Sequence, residues 1–266
     1  MFDFLPAYPV TFWISGLASV MLIGISKAGF GAGVGLIATP LMALTIPTAD
    51  AAALLLPILI ISDFVAIRQY RARFDKRNLF IMIPGAILGI IAGWFFFGYF
   101  RGNERILKIG IGVLALSFVA FQLLHKRLLG VIAERKPAVG EGLFWSTLSG
   151  FTSTLAHVGS PPAMVYLLPQ KLPRDIYVGT TLYFFTITNV VKLIPYAHLN
   201  LLRVGNMYTV LLLLPAVLVG VKLGFVLNRS CSDTWFNRAV YGLLFLTGLQ
   251  LVFGADIASL FTSLYR

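Results

Sequence analysis

Residues 24–67 of this chain recur at 150–193 with a constant offset of 126. The first copy opens GISKAGFGAGVG and the second GFTSTLAHVGSP, which pairs Gly24 with Gly150, Gly33 with Gly159 and Pro47 with Pro173. Further on the offset becomes 131, where IPGAILGIIAGWFF (83–96) answers LPAVLVGVKLGFVL (214–227). The change of offset falls in a polar connection, where an insertion is tolerated. A chain duplicated in this way folds as two copies of one unit, and any site between them is built from equivalent positions of both.

The units belong in a membrane. The chain is 58% hydrophobic and 12% charged, with a mean hydropathy of +0.88, outside the range of ordinary soluble domains. About 20 apolar residues cross a bilayer as helix, and the apolar segments fall near 10–44, 49–67, 79–100, 106–124, 142–169, 176–197, 206–227 and 239–254. The net charge of +11 does not indicate nucleic acid, because the basic residues flank apolar spans instead of clustering on one surface. Arg68, Arg71, Arg73, Lys76 and Arg77 crowd one connection and Lys126, Arg127, Arg135 and Lys136 another, the pattern of cytoplasmic loops. The partner is therefore the lipid bilayer. Cys231 stands alone, so no intramolecular disulfide forms. The N-terminal segment has no Lys or Arg before Lys27 and reads as a retained span, not a cleaved signal.

The segments that open the repeats are anomalous. Residues 10–44 are too long for one simple crossing, and GFGAGVG at 29–35 places Gly29, Gly31, Gly33 and Gly35 in the middle. Each glycine inside a helix costs about 1 kcal/mol relative to alanine, so the helix is expected to break there. The equivalent stretch AHVGSPP (156–162) contains Gly159 and ends in Ser160, Pro161 and Pro162, an N-cap residue followed by prolines suited to a first helical turn. New half-helices are expected to start near Val34 and Ser160. Broken backbone at membrane depth is tolerated where it lines a cavity, and paired breaks in two halves point to a transporter's substrate site. Two helix N-termini facing one cavity favour an anion. Gly89, Gly93, Gly220 and Gly224 read instead as close-packing positions between helices.

Polar residues within the spans extend the site. Lys27 precedes the first break by one turn, and a charge at membrane depth costs about 3 kcal/mol unless paired or hydrated. Asp63 lies in the second span with Asn189 at its repeat position, and Lys192 follows Asn189 on the same helical face. His157 sits in the second break and is the residue type that titrates near neutrality. The expected substrate-binding set is Lys27, Gly31, Gly33, Gly35, His157, Gly159, Ser160, Asn189 and Lys192, with Asp63 and His157 as proton-coupling positions. Three other roles remain open: Lys192 snorkelling to an interface, Lys27 pairing structurally with Asp63, and His157 as a packing residue.

The expected fold is an all-α polytopic membrane protein of two homologous repeats, each opening with a broken or re-entrant helix followed by three spanning helices. The first repeat covers 1–128, a cytoplasmic linker 129–141 and the second repeat 142–266. If the broken segments turn back, the second repeat is inverted, and the distribution of basic residues slightly favours this arrangement. Lipid-facing and partner-facing apolar surfaces have the same composition, so no oligomeric state is assigned.

The stretches SKAGFGAGVGLIATPLMAL (26–44) and LAHVGSPPAMVYLLPQKLPRDIYVGTT (155–181), with the duplicated layout, resemble the TauE/SafE sulfite exporter family, also called TSUP, over nearly the whole chain. The resemblance implies a permease, usually an exporter, for small sulfur-containing or organic anions such as sulfite and sulfonates, coupled to protons. The reading H-V-G-S-P-P in the second motif departs from the commoner glycine run. A passive anion channel using the same cavity is the alternative. An intramembrane enzyme would need a nucleophile and base, for which Ser160 and His157 are the sole pair; no HExxH or G-x-S-x-G motif is present, and nothing in the sequence calls for a metal or cofactor.

Overall fold

The computed structural model describes residues 8–26, 34–68, 73–100, 102–128, 137–202, 204–230 and 233–254. These contain helices and no strands. In chain order they are α1 (Val10–Ile25), α2 (Ala38–Ala43, preceded by a 3-10 turn at Val34–Ile37), α3 (Thr48–Ile67), α4 (Lys76–Phe100), α5 (Glu104–Leu128), α6 (Val139–Ala156), α7 (Ser160–Leu167), α8 (Arg174–His198), α9 (Val204–Ser230) and α10 (Asp233–Phe253). Helix α6 thus starts inside the stretch expected to be linker.

Five of them are long and apolar enough to cross a membrane: Thr48–Ile67, Lys76–Phe100, Glu104–Leu124, Arg174–His198 and Met207–Gly224. Their outward faces carry Phe80, Phe95, Ile194 and Leu218, all largely exposed, as lipid contact requires. The interiors tolerate Pro57, Pro84, Pro195 and Pro215, because neighbouring helices and hydroxyl side chains satisfy the backbone groups that proline frees. Pro47 and Pro173 each precede a spanning helix with nearly the same dihedrals, φ −53 and ψ 140 against φ −49 and ψ 140.

Both broken segments turn back. Ser19 Oγ donates to the Ala38 carbonyl at 3.0 Å, and Ser15 Oγ lies 2.8 Å from Thr45 Oγ1. As the chain advances from 38 to 45 its contacts retreat from 19 to 15, so α2 runs antiparallel along α1. In the second unit Ser149 Oγ donates to the Gly159 carbonyl at 2.6 Å, and a Cβ at Gly142 would lie 2.8 Å from the Tyr166 ring. Helix α7 therefore returns along α6. A straight continuation would leave Ser15 and Thr45 about 45 Å apart at 1.5 Å per residue. Sixteen residues of α1 reach about 24 Å, most of the roughly 30 Å thickness of a bilayer's apolar core.

Helix α1 packs mainly on α9, α6 on α4, α3 on α8 and α5 on α10. Glycines set the first two contacts. A Cβ at Gly24 would strike the Val217 carbonyl and one at Gly220 the Met21 carbonyl; a Cβ at Gly150 would strike the Ala86 carbonyl and one at Gly89 that of Thr147. Close packing accounts for Gly89 and Gly220, and for Gly93, whose Cβ would come 2.8 Å from Thr154.

Candidate functional site

The tip of the α6–α7 hairpin collects the polar groups. Helix α6 is rich in hydroxyls that its own turns satisfy: Ser146 donates to Gly142, Thr147 to Leu143, Thr152 to Leu148 and Thr154 to Gly150. Such back-bonding makes a polar helix tolerable in lipid. Ser149 and Ser153 make contacts beyond their helix. Ser149 secures the return limb, and Ser153 meets Lys192.

Helix α6 ends at His157, which adopts the left-handed conformation at φ 56 and ψ 23. A non-glycine residue there costs about 1 kcal/mol or more, and the ring's contacts hold it in place. Nε2 lies 2.9 Å from the Ala52 carbonyl of α3, and Nδ1 lies 2.9 Å from Lys192 Nζ of α8. A carbonyl only accepts, so Nε2 carries the proton and Nδ1 offers its lone pair to the ammonium.

Lys192 is wholly buried. Its three donors go to the Ser153 carbonyl at 3.1 Å, Ser153 Oγ at 3.0 Å and His157 Nδ1 at 2.9 Å. The ammonium thus sits over the C-terminal carbonyls of α6, the negative end of the helix dipole. Snorkelling, one sequence expectation for Lys192, is excluded by this burial. One turn earlier on α8, Asn189 Nδ2 donates to Asp63 Oδ2 of α3 at 2.8 Å, with both residues buried. Tyr196, one turn later, donates its hydroxyl to the Thr154 carbonyl at 2.7 Å.

Asp63, His157, Asn189 and Lys192 are therefore brought together by α3, α6 and α8. Helix α7 begins at Ser160 as expected, but Gly159 holds the N-cap position and Ser160 is the first helical residue. Ser160 is buried, and its hydroxyl makes no hydrogen bond among the described residues. Pro161 and Pro162 lack N–H groups, so the free donors at this helix start reduce to the N–H groups of Gly159 and Ser160 and the Ser160 hydroxyl. Gly159 is tightly enclosed: a Cβ would come 2.9 Å from the Ser149 carbonyl and 3.0 Å from the Phe185 ring. Among the described residues, the nearest neighbour of a Cβ at Gly35 would be Ser26 at 3.6 Å. Lys27, Gly31 and Gly33 lie outside the described residues. In the first half Thr39 Oγ1, on α2, is buried and has no hydrogen-bond partner among the described residues.

Both ring nitrogens of His157 are engaged away from Ser160, which removes the one nucleophile–base pair considered for an enzyme. Sequence reasoning missed Ser153 and the Ala52 carbonyl. Ser153 had a signal: it precedes His157 by four residues and occupies the repeat position of Lys27. The backbone carbonyl of an alanine has none.

The sequence pattern of the sulfite exporter TauE/SafE family matches residues 16–251. No curated protein and no solved structure matches the chain significantly.

Proposed function

We propose that this chain, which belongs to the TauE/SafE sulfite exporter family, is a secondary transporter that exports a small sulfur-containing or organic anion, such as sulfite or a sulfonate, in exchange for protons. The observation that carries the reading is the buried ammonium of Lys192 at a hairpin tip, next to a histidine and a helix start with free donors. A charge at membrane depth is rare and marks a substrate or ion pathway. The anion's oxygens are received by Ser160 Oγ and the N–H groups of Gly159 and Ser160, with Lys192 balancing its charge and Lys27, Gly31, Gly33, Gly35 and Asn189 completing the lining. Protons travel through the His157 and Asp63 region.

The two halves, 1–128 and 142–266, are read as inverted repeats joined by a cytoplasmic connection. Two observations support this. The glycine contacts map onto one another under the sequence offsets, Gly24 on Val217 answering Gly150 on Ala86. Asp63 and Asn189, equivalent positions 126 residues apart, bond directly to each other, as residues on a twofold axis do. With the hairpins turned back, each half crosses three times, and an odd number inverts the second half. Inverted repeats suit alternating access around a fixed midplane site, and a bacterial plasma membrane suits the basic connections.

The test is reconstitution in liposomes with radiolabelled sulfite, and separately with sulfoacetate. An imposed pH gradient drives either anion above its equilibrium concentration if the reading holds. Downhill flux indifferent to the gradient identifies a channel, and no flux of any small anion refutes transport at this site.

A further inference from the structure

We infer that one exchangeable proton is shared by Lys192 and His157, with Lys192 as its carrier and His157 as the group through which it reaches the cavity, Asp63 serving as a fixed counter-charge. The inference rests on the proton-coupled reading above.

The geometry separates the roles. Lys192 is wholly buried, and all three of its donors end on protein acceptors. It has no direct route to water. One acceptor differs from the others: a carbonyl and a hydroxyl cannot take the proton near neutrality, whereas the Nδ1 lone pair can. His157 is partly exposed whereas Lys192 is not, so a proton leaving the pair has its shorter way out past the histidine. In the transfer, the Nζ–H bond breaks and an Nδ1–H bond forms. The product is a neutral amine beside an imidazolium whose Nε2–H still rests on the Ala52 carbonyl. The Nδ1–H bond then breaks and an O–H bond forms on a water molecule, and the ring returns to its neutral form with the proton on Nε2. No other group changes its bonding.

Asp63 is placed differently. Its Oδ2 accepts from Asn189 Nδ2, which engages the carboxylate with α8 and away from the Lys192–His157 contact. The ionisable groups facing Lys192 among the described residues are Asp63 from α3, whose field reaches the ammonium, His157 at the end of α6, and Tyr196 on α8. Helix α4, also packed on α8, carries its charges only at its start, Lys76 and Arg77. The tyrosine hydroxyl is donated to a carbonyl, which leaves the lysine–histidine pair as the site of exchange.

Two measurements decide the matter. In proteoliposomes, gradient-driven accumulation of sulfite is divided by sulfite counterflow without a gradient. One proton per anion and a one-unit gradient support about tenfold accumulation. Lys192→Met and His157→Gln, the second of which can still bridge Ala52 and Lys192 through an amide, should bring this ratio down about tenfold. Asp63→Asn should lower both rates together and hold the ratio. A ratio retained in both first variants, or lost with Asp63→Asn, overturns the inference. The second measurement needs no substrate. Potentiometric titration of the detergent-solubilised protein from mildly alkaline to mildly acidic pH should show that wild type binds one proton more than the Lys192→Met, His157→Gln double variant. A difference of none, or of two, overturns the sharing. Wild-type flux that ignores the gradient sinks the coupled-transport reading instead, and the titration still decides the pair.

Discussion

Replacing Ser153 with alanine tests whether the buried ammonium is held as described. The variant removes one of three acceptors from Lys192, the hydroxyl at 3.0 Å, and leaves the Ser153 carbonyl at 3.1 Å and His157 Nδ1 at 2.9 Å. Lys192 is fully buried, so no bulk water replaces the lost bond. A hydrogen bond to a charged group contributes about 1.5–3 kcal/mol, and for a chain of this size each kcal/mol moves the melting temperature by about 2–4 °C. Ser153→Ala should therefore melt about 5 °C lower in detergent. In a Lys192→Met background the hydroxyl has no ammonium to satisfy, and the same substitution should cost little. The cycle of four proteins, each checked as monodisperse by size exclusion, should give a coupling energy of about 2 kcal/mol. Equal costs in both backgrounds would falsify the contact and remove the geometric basis of the proton assignment.

Other expectations follow from the same contacts. Gly150→Ala and Gly24→Ala each push a methyl into a backbone carbonyl of the facing helix and should each cost about 1–3 kcal/mol of stability; Gly110→Ala, which meets nothing within 4 Å, should be neutral, and equal melting of all three would discredit the helix pairing. Cysteines in place of Ser15 and Thr45, whose hydroxyls lie 2.8 Å apart, should cross-link on mild oxidation. Failure to do so in folded protein contradicts the hairpin. Asn189→Asp sets two carboxylates against each other, which binds a proton in the folded state; its stability should then be greatest at acid pH and fall as pH rises, whereas a flat profile shows that the two positions are not in contact.

The duplication was legible because it is covariance within one chain: glycines and prolines recur at fixed offsets, and each marks a place where backbone approaches backbone. Gly24, Gly89, Gly150 and Gly220 all proved to be such places. The break at 156–162 was legible because a proline-led helix start leaves a compositional trace, whereas the left-handed turn at His157 leaves none. Periodicity alone left open whether the broken segments continue or return, since a helix reads the same in either direction; the contact of the Ser15 and Thr45 hydroxyls and the bond from the Ser149 hydroxyl to the Gly159 carbonyl show the return. The bonds from Asp63 to Asn189 and from Lys192 to His157 were not anticipated, although all four residues were expected to belong to one site. Spacing on one helix places residues on a face but says nothing of which facing helix receives them.

The differences between the halves bear on how such a protein works. Under the offset of 126, His157 answers Gly31, Lys192 answers Ala66 and Ser153 answers Lys27. The glycine contacts that join helices are kept in both halves, while the residues that carry charge are not. On the inverted-repeat reading, exchanging the conformations of the halves converts an inward-facing form into an outward-facing one. Equivalent packing contacts then keep the two forms close in energy, so that a difference of a few kcal/mol from substrate or proton sets the population. A symmetric set of charges would bind equally in both forms and shift nothing. Lys192 of α8 and His157 at the end of α6 occur in the second half alone, so a proton bound between them would favour one form over the other, as the proposed coupling requires.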